Sequence, residues 1–172
     1  FKGKIKISAG VFNTGEKHKV GGENVTIVTN AGKHQTIIDY KISKPRLWSE
    51  FDPALYRLSV SLKESGKGII DEQNVDFGMR DFRTSGTRFE INGNPVFLRG
   101  TTECCIFPLT GYPPTDVLSW EKVLKTVKDY GLNHVRFHSF CPPEAAFKAA
   151  DRLGIYFHIE CSSWANQGTA IG

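Results

Sequence analysis

The sequence GLNHVRFHSFCPPEAAFKAADRLGIYFHI, residues 131–159, decides the fold of the second half of the chain. Residues 135–137 form a short apolar strand, and the Pro-Pro-Glu sequence at 142–144 opens a helix, since proline is tolerated in a first helical turn. Gly154 ends that helix, and residues 155–159 form another apolar strand. Strand, helix and strand in this order predict two parallel strands joined by the helix.

A second helix and a further strand precede this stretch. Four apolar residues recur at helical spacing and predict one buried helix face: Val117, Trp120, Leu124 and Val127. Thr115 or Asp116 can cap the start of this helix, and Gly131 stands where it should stop. Residues 88–91 run into Asn92-Gly93, a strong hairpin signal, and Pro95–Leu98 is then predicted to be a short buried strand. The second half therefore has the order strand, helix, strand, helix, strand.

This order opens either a Rossmann-type sheet or a TIM barrel. The dinucleotide fingerprint GxGxxG is missing after the first predicted strand, where Arg99-Gly100-Thr101-Thr102 stands instead. That absence weighs against nucleotide binding. A complete barrel needs about 250 residues and eight strand–helix units. The barrel interpretation therefore predicts an incomplete (β/α)8 barrel of three strands and two helices over residues 89–172.

The first half of the chain alternates between apolar and polar residues. Lys4–Ser8, Val25–Thr29 and Leu58–Leu62 each show period two, which is typical of strands with one buried face. Glycine and asparagine separate these segments, and helical periodicity of useful length starts only after residue 88. Several short strands at this spacing predict an immunoglobulin-like β-sandwich over residues 1–88.

Composition narrows the function classes. The 172 residues carry a net charge of +4, and the positive side chains are scattered rather than arranged in a stripe, so a nucleic-acid partner is not expected. An apolar run of the roughly 20 residues that a membrane span needs is missing, so a membrane partner is not expected either. The sequence begins at Phe1 and shows no signal peptide, so we expect its natural start to have been removed. A periplasmic or secreted bacterial enzyme is the first expectation for its location.

Four cysteines lie in the second half, at Cys104, Cys105, Cys141 and Cys161. Their spacing fits neither a small disulfide framework nor a CxxC pair. We expect buried free thiols, because free cysteine is among the most buried residue types. Two alternatives stay open: a metal site that combines the thiols with His138 or His158, and a reactive thiol.

Function in a barrel lies at the C-terminal ends of the strands. Six residues with polar or aromatic side chains are predicted to lie there as substrate-binding or supporting residues: Arg99, Glu103, Arg136, His138, Glu160 and Trp164. Each has a structural alternative. The two arginines can pair with Glu103 or Glu160, since a buried charge must be paired. His138 can be a core histidine or a donor to a sugar hydroxyl, and Trp164 can stack on the C–H face of a sugar.

Short motifs in a fixed order resemble glycoside hydrolase family 2. They are LWSE (47–50), PALY (53–56), FGMR (77–80), NGNPVFLRG (92–100), GLNHVR (131–136) and ADRLGIY (150–156). The first three resemble the immunoglobulin-like domain of that family, and the others resemble its barrel. The resemblance covers roughly residues 40–165. The family includes β-galactosidases, β-glucuronidases and β-mannosidases.

The resemblance implies a retaining glycosidase with a covalent glycosyl-enzyme and two catalytic glutamates about 5 Å apart. In the family the acid/base belongs to an Asn-Glu pair after strand four, and the nucleophile follows strand seven. This chain contains no Asn-Glu dipeptide. Both catalytic glutamates are therefore expected beyond Gly172, a sugar-binding jelly-roll domain is expected before Phe1, and residues 1–172 alone are expected to be inactive. No catalytic residue is assigned within the chain.

The resemblance also assigns supporting roles and shows departures. Glu160, Arg136 and Arg99 match the glutamate of strand three and the arginines of strands two and one in the family. The residues that bind magnesium in some β-galactosidases have no counterpart at 162–166, so neither metal nor cofactor is expected. A non-catalytic carbohydrate-binding or scaffold module remains the alternative, motivated by the predicted sandwich and the loop aromatics Phe107, Tyr112 and Trp164. Exposed edges of an incomplete barrel predict self-association.

Overall fold

The computed structural model of the protein describes residues 1–15 and 18–162. The chain divides into two compact units. The first unit consists of Phe1–Trp48 and Ala54–Met79, and the second of Ser49–Pro53 with the described residues from Arg80 onward.

The second unit resumes at Arg80, directly after Met79, whereas the predicted boundary lies after residue 88. The difference has a local cause. Strand β5, Phe82–Ser85 in the numbering used below, pairs with Arg88–Ile91, so the whole hairpin belongs to the second unit.

The first unit is built on a four-stranded antiparallel sheet. Its strands are β1 (Lys2–Val11), β2 (Lys19–Val28), β3 (Leu55–Glu64) and β4 (Gly68–Gly78), in the spatial order β2-β1-β3-β4. The alternation in the sequence explains β1, in which Ile7, Ala9 and Val11 are buried. The predicted strands at 4–8, 25–29 and 58–62 thus coincide with β1, β2 and β3.

The predicted sandwich requires a second sheet packed on the first. The described part of this unit contains the one sheet, and residues 29–54 form an irregular connection. This connection contributes Ile42 to the cluster around Val11, Ala54 and Tyr56, and the backbone N–H of Arg46 donates to the Tyr56 hydroxyl at 2.8 Å. The end of the sheet around Tyr56 therefore packs against this connection, and the immunoglobulin-like sandwich stays a prediction.

The second unit begins with a small antiparallel sheet of β5, β6 (Arg88–Ile91) and β7 (Asn94–Val96). Asn92 and Gly93 connect β6 and β7 with positive φ angles of 53° and 79°. A tight hairpin of this kind needs positive φ at both central residues, which Asn-Gly supplies. The predicted hairpin is confirmed.

A three-stranded parallel sheet follows, in the order β10-β9-β8. Its strands are β8 (Gly100–Glu103), β9 (His134–Phe137) and β10 (Tyr156–Ile159), and its connections contain the helices α1 (Val117–Asp129) and α2 (Glu144–Leu153). The predicted parallel strand–helix order is confirmed. The first parallel strand, however, is β8 rather than Pro95–Leu98, because Pro95 lies in β7 and pairs with β6.

The core of this unit lies between the parallel sheet and the helices. Trp120 and Leu124 of α1 and Phe137 of β9 are fully buried against the small side chains of α2, which let the helix approach closely. Asp116 caps α1 by accepting from the N–H of Ser119 at 2.9 Å, and Gly154 ends α2 with φ of 73°. No helix within the described residues is long and apolar enough to cross a membrane.

Candidate functional site

The register of the parallel sheet separates its side chains into two sets. Directly opposite residues share a face, and successive residues alternate. Val135 and Phe137 pack into the core with the helices, so Arg136 projects from the opposite face. The pairing places Thr102 and His158 beside Arg136 on that face.

An ion pair joins the ends of β9 and β10. Arg136 contacts Glu160 with Nε to Oε1 at 2.5 Å, and the second carboxylate oxygen of Glu160 accepts from the backbone N–H of Ser139 at 2.9 Å. Ser139, which donates this hydrogen bond, adopts a positive φ of 60°. The pair therefore fixes the position of Glu160 directly after β10.

Hydrogen bonding sets the charge of Glu160. The Ser139 N–H and then the Arg136 guanidinium lower the pKa of Glu160 below its ordinary value, because both favour the ionised carboxylate. The side chain is thus an anion at neutral pH and can accept hydrogen bonds, but it is a poor proton donor. This arrangement suits a supporting carboxylate rather than an acid catalyst.

His138 lies beside this pair. Its backbone N–H donates to the carbonyl oxygen of Glu103 at 2.9 Å, and its Nδ1 lies 3.9 Å from the Sγ of Cys104. The neighbouring His138 side chain also lowers the pKa of Glu160. The structure thus brings together Arg136, His138 and Glu160 among the predicted site residues.

Glu103 is the last residue of β8 at the same edge, and its carboxylate accepts a hydrogen bond from the loop that follows. Its Oε1 accepts from the N–H of Ile106 at 3.2 Å, whereas its Oε2 is buried without a hydrogen-bond partner in the described part of the chain. Trp164, the predicted sugar-stacking residue, lies outside the described residues. Neither observation assigns Glu103 or Trp164 a role in binding.

Arg99 requires a correction. The sequence analysis placed it after the first parallel strand, but it precedes β8 and therefore lies at the opposite end of the sheet. Its guanidinium contacts Glu50 at 3.3 Å and the carbonyl oxygen of Gly131 at 2.9 Å. For Arg99 the predicted partners Glu103 and Glu160 are wrong, because Glu50 takes that place, whereas the prediction is confirmed for Arg136, which pairs with Glu160.

Glu50 anchors a buried network that the sequence analysis did not find. Its carboxylate accepts a short hydrogen bond from the Asn133 side chain, and Asn133 Oδ1 accepts from the backbone N–H of Arg99 at 2.8 Å. The Lys128 ammonium donates to the Glu50 carbonyl oxygen at 3.0 Å. The partners lie up to 83 residues apart in the chain, so no local pattern could have revealed the contact.

The cysteines also differ from expectation. Cys104, Cys105, Cys141 and Cys161 are free, as predicted, but all four are exposed rather than buried. They lie in loops after strands instead of within the core. Among the described residues, no group of three or more histidine, cysteine, aspartate or glutamate side chains could hold a metal ion.

A cavity of about 620 Å³ runs along the outer edge of β10. Aromatic rings dominate its lining, with contributions from Phe82, Phe89 and Phe147. Burial raises the pKa of Asp151 at its side and, together with the nearby charge of His158, lowers that of His134. An apolar lining of this kind suits a packed protein element better than a sugar.

The geometry defines a sheet of parallel strands whose carboxyl edge holds an arginine–glutamate pair and a histidine, the edge at which strand–helix enzymes place their active sites. The sequence profile of the glycosyl hydrolases family 2 matches residues 1–80. A β-galactosidase of Yersinia enterocolitica is 30% identical over 71% of the chain, and a putative β-glucuronidase of Formosa agariphila is 33% identical over 85%.

Solved structures agree with these sequence relatives. A glycosyl hydrolase family 2 member from Bacteroides cellulosilyticus superposes with a TM-score of 0.71 over 94% of the chain at 26% identity, covering 21% of that structure. The β-glucuronidase of Parabacteroides merdae has the same fold, with a TM-score of 0.71 at 22% identity over 94% of the chain and 19% of its own. The chain belongs to glycosyl hydrolase family 2. It spans 12% and 18% of the lengths of the two curated relatives named above.

Proposed function

We propose that this chain is part of a retaining glycosidase that cleaves O-glycosidic bonds of oligosaccharides or polysaccharides. Its first unit corresponds to an immunoglobulin-like domain and its second to the first part of a TIM barrel. The relatives named as β-galactosidase and β-glucuronidase support β-glycosides as the substrate class. The single observation that carries the proposal is the Arg136–Glu160 pair.

The position of this pair is consistent with a role in orienting a charged carboxylate beside a bound sugar, without taking part in bond cleavage. Glu160 follows β10 and Arg136 lies in β9, so both project at the carboxyl edge of the parallel sheet. A carboxylate held by Arg136 and the Ser139 N–H keeps its charge and its orientation before any substrate arrives. Preorganised charges of this kind stabilise developing positive charge without reorganising during the reaction.

His138 completes the proposed sugar-binding side of the site. Its backbone N–H is bonded to Glu103 at the end of β8, and its side chain is near enough to Glu160 to lower the pKa of that carboxyl. An imidazole in this position offers one donor and one acceptor to sugar hydroxyls. We therefore assign substrate binding to His138 and support of the reacting groups to Arg136 and Glu160.

The two glutamates that perform the reaction are proposed to lie outside residues 1–172. A retaining mechanism requires one carboxyl group as acid/base and a second as nucleophile, about 5 Å apart. The lowered pKa of Glu160 makes it a poor proton donor, and both of its carboxylate oxygens already accept hydrogen bonds, from Arg136 and the Ser139 N–H, which leaves it encumbered as a nucleophile. Residues 1–172 alone are accordingly proposed to be inactive.

Sequencing the gene beyond the codon for Gly172 tests the enzyme proposal. We expect an Asn-Glu pair within about 40 residues, at the end of a fourth barrel strand, and a further glutamate late in the barrel. A stop codon directly after Gly172 would overturn it and leave carbohydrate binding, through exposed loop aromatics such as Tyr112, as the better account.

An activity assay of residues 1–172 tests the claim of inactivity. We expect no turnover of chromogenic β-galactosides, β-glucuronides or β-mannosides. Turnover that Glu160→Gln abolishes would contradict that claim. The matched control is Arg152→Ala, which breaks a pair with Glu121 of 2.8 Å on the helical surface and should leave any sugar-dependent signal unchanged.

A further inference from the structure

Exposed thiols gather at the carboxyl edge of the parallel sheet. Cys104 follows β8 directly, Cys141 lies in the loop after β9, and Cys161 follows β10 by two residues. Carboxyl ends of parallel strands meet at one edge of a sheet, so these loops share that edge. The proposed glycosidase function uses none of these thiols.

One of the thiols has a base beside it. Cys104 Sγ lies 3.9 Å from His138 Nδ1, and Cys104 is exposed whereas His138 is half-buried. The backbone N–H of His138 donates to the carbonyl oxygen of Glu103 at 2.9 Å, which fixes the backbone from which the imidazole projects. A thiol with an imidazole nitrogen within reach is the arrangement of a nucleophile beside its general base.

The other cysteines lack this arrangement in the described part of the chain. Cys105 is also exposed, but the contact to His138 Nδ1 is made by Cys104. The Cys141 Sγ donates to the carbonyl oxygen of Pro142 at 3.6 Å, so its proton is already engaged. These residues provide internal comparisons within one molecule.

We propose that Cys104 is a covalent modification site, a reactive thiol that His138 activates toward low-molecular-weight disulfides. The imidazole takes the Cys104 proton, and the thiolate attacks one sulfur of the small disulfide. A mixed disulfide forms at Cys104, the disulfide bond of the reagent breaks, and its second half leaves as a thiolate that accepts the proton from His138. The reaction exchanges one disulfide for another and needs no further oxidant.

The mixed disulfide would occupy the space beside His138 and Glu160. Modification of Cys104 would thus block the access of a ligand to His138 at the carboxyl edge. Ligand binding at this edge would then depend on the redox state of Cys104. The chemical reactivity of Cys104 does not depend on the proposed glycosidase activity. It can therefore be tested on residues 1–172 without a sugar substrate.

The test measures labelling rates of each cysteine. The reduced protein is exposed to glutathione disulfide at neutral pH, samples are quenched with acid, and peptide mass mapping gives the rate for each thiol. Cys104 should react on the order of tenfold faster than Cys105, since a positioned general base contributes at least that factor. Iodoacetamide, whose iodide leaves as the S–C bond forms, should reproduce the order of the rates.

Variants decide the role of the imidazole. His138→Gln should lower the Cys104 rate to that of Cys105 and leave the Cys141 and Cys161 rates unchanged, with circular dichroism confirming that the helices remain. Equal rates for Cys104 and Cys105 in the unaltered protein would overturn the proposal, whether or not the variant folds. An unchanged Cys104 rate in a folded His138→Gln variant would overturn it as well.

Discussion

The buried network around Asn133 allows a stability prediction worked from the structure. The Asn133 side chain, in a residue that is 3% exposed, donates to the Glu50 carboxylate and to the carbonyl oxygen of Phe97 at 3.0 Å, and accepts from the Arg99 N–H at 2.8 Å. Asn133→Ala removes all three bonds and leaves a buried carboxylate short of one donor. A bond to a charged group contributes roughly 2 kcal/mol and a neutral one about 1 kcal/mol, so we expect a loss of about 4 kcal/mol.

Such a loss is large compared with the stability of a domain. Thermal unfolding followed by the helical circular dichroism signal reports this unit, because both helices lie in it. The expected loss lowers Tm by roughly 15–30 °C for a unit of this size. If Asn133→Ala fails to fold, Glu50→Gln tests the same network with a smaller change. The glutamine keeps one acceptor oxygen but places an amide donor against Asn133 and Arg99, which donate as well.

The matched control is Asn94→Ala. Asn94 is exposed, and its side-chain amide donates to the Asn92 carbonyl oxygen at 3.3 Å. A surface substitution of this kind changes stability by at most about 0.5 kcal/mol. The reasoning is refuted if Asn133→Ala and Asn94→Ala unfold at the same temperature, because the buried network would then contribute nothing measurable.

Three further outcomes are expected. Gly154→Ala should destabilise the protein by about 3 kcal/mol and Gly131→Ala by about 1 kcal/mol. Both glycines have positive φ, but only at Gly154 would an added Cβ meet a backbone oxygen, 2.7 Å away, so equal shifts in Tm would contradict this. Burial, together with the nearby His158, lowers the pKa of His134, so the folded state favours the neutral imidazole. The contribution of His134 to the free energy of unfolding is therefore complete above the unfolded pKa of about 6.5 and falls as the pH drops below it. His134→Asn should flatten the loss of stability between about pH 7 and pH 5, measured by urea titration. The outer edges of β8 and β10 and the aromatic cavity predict self-association of residues 1–172, and a sharp monomer peak in light scattering would argue against it.

Local signals in the sequence determined the secondary structure of the second half. Apolar spacing and capping residues located both helices, and Asn92-Gly93 located the hairpin, because these features act over a few residues. The strand Pro95–Leu98 was misplaced for the same reason. A short apolar run does not say which neighbour it pairs with, and pairing with β6 excluded it from the parallel sheet.

The site residues also divide into those that the strand order located correctly and those that depended on tertiary contacts. The order of strands predicted that Arg136, His138 and Glu160 would lie at one edge, since parallel strands end together. The error at Arg99 arose from the misplaced strand, which reversed the end of the sheet at which this residue lies. The error at the cysteines arose because average burial describes a residue type, whereas loop positions after strands decided their exposure.

The sequence by itself determined the family, the helices and the parallel strand order, because motif spacing and periodicity are properties of the chain alone. Only the tertiary structure decided the partners of charged side chains. Glu50 reaches Asn133 across 83 residues, and His138 comes to lie beside Cys104 across 34, because strand pairing rather than chain distance sets which side chains meet.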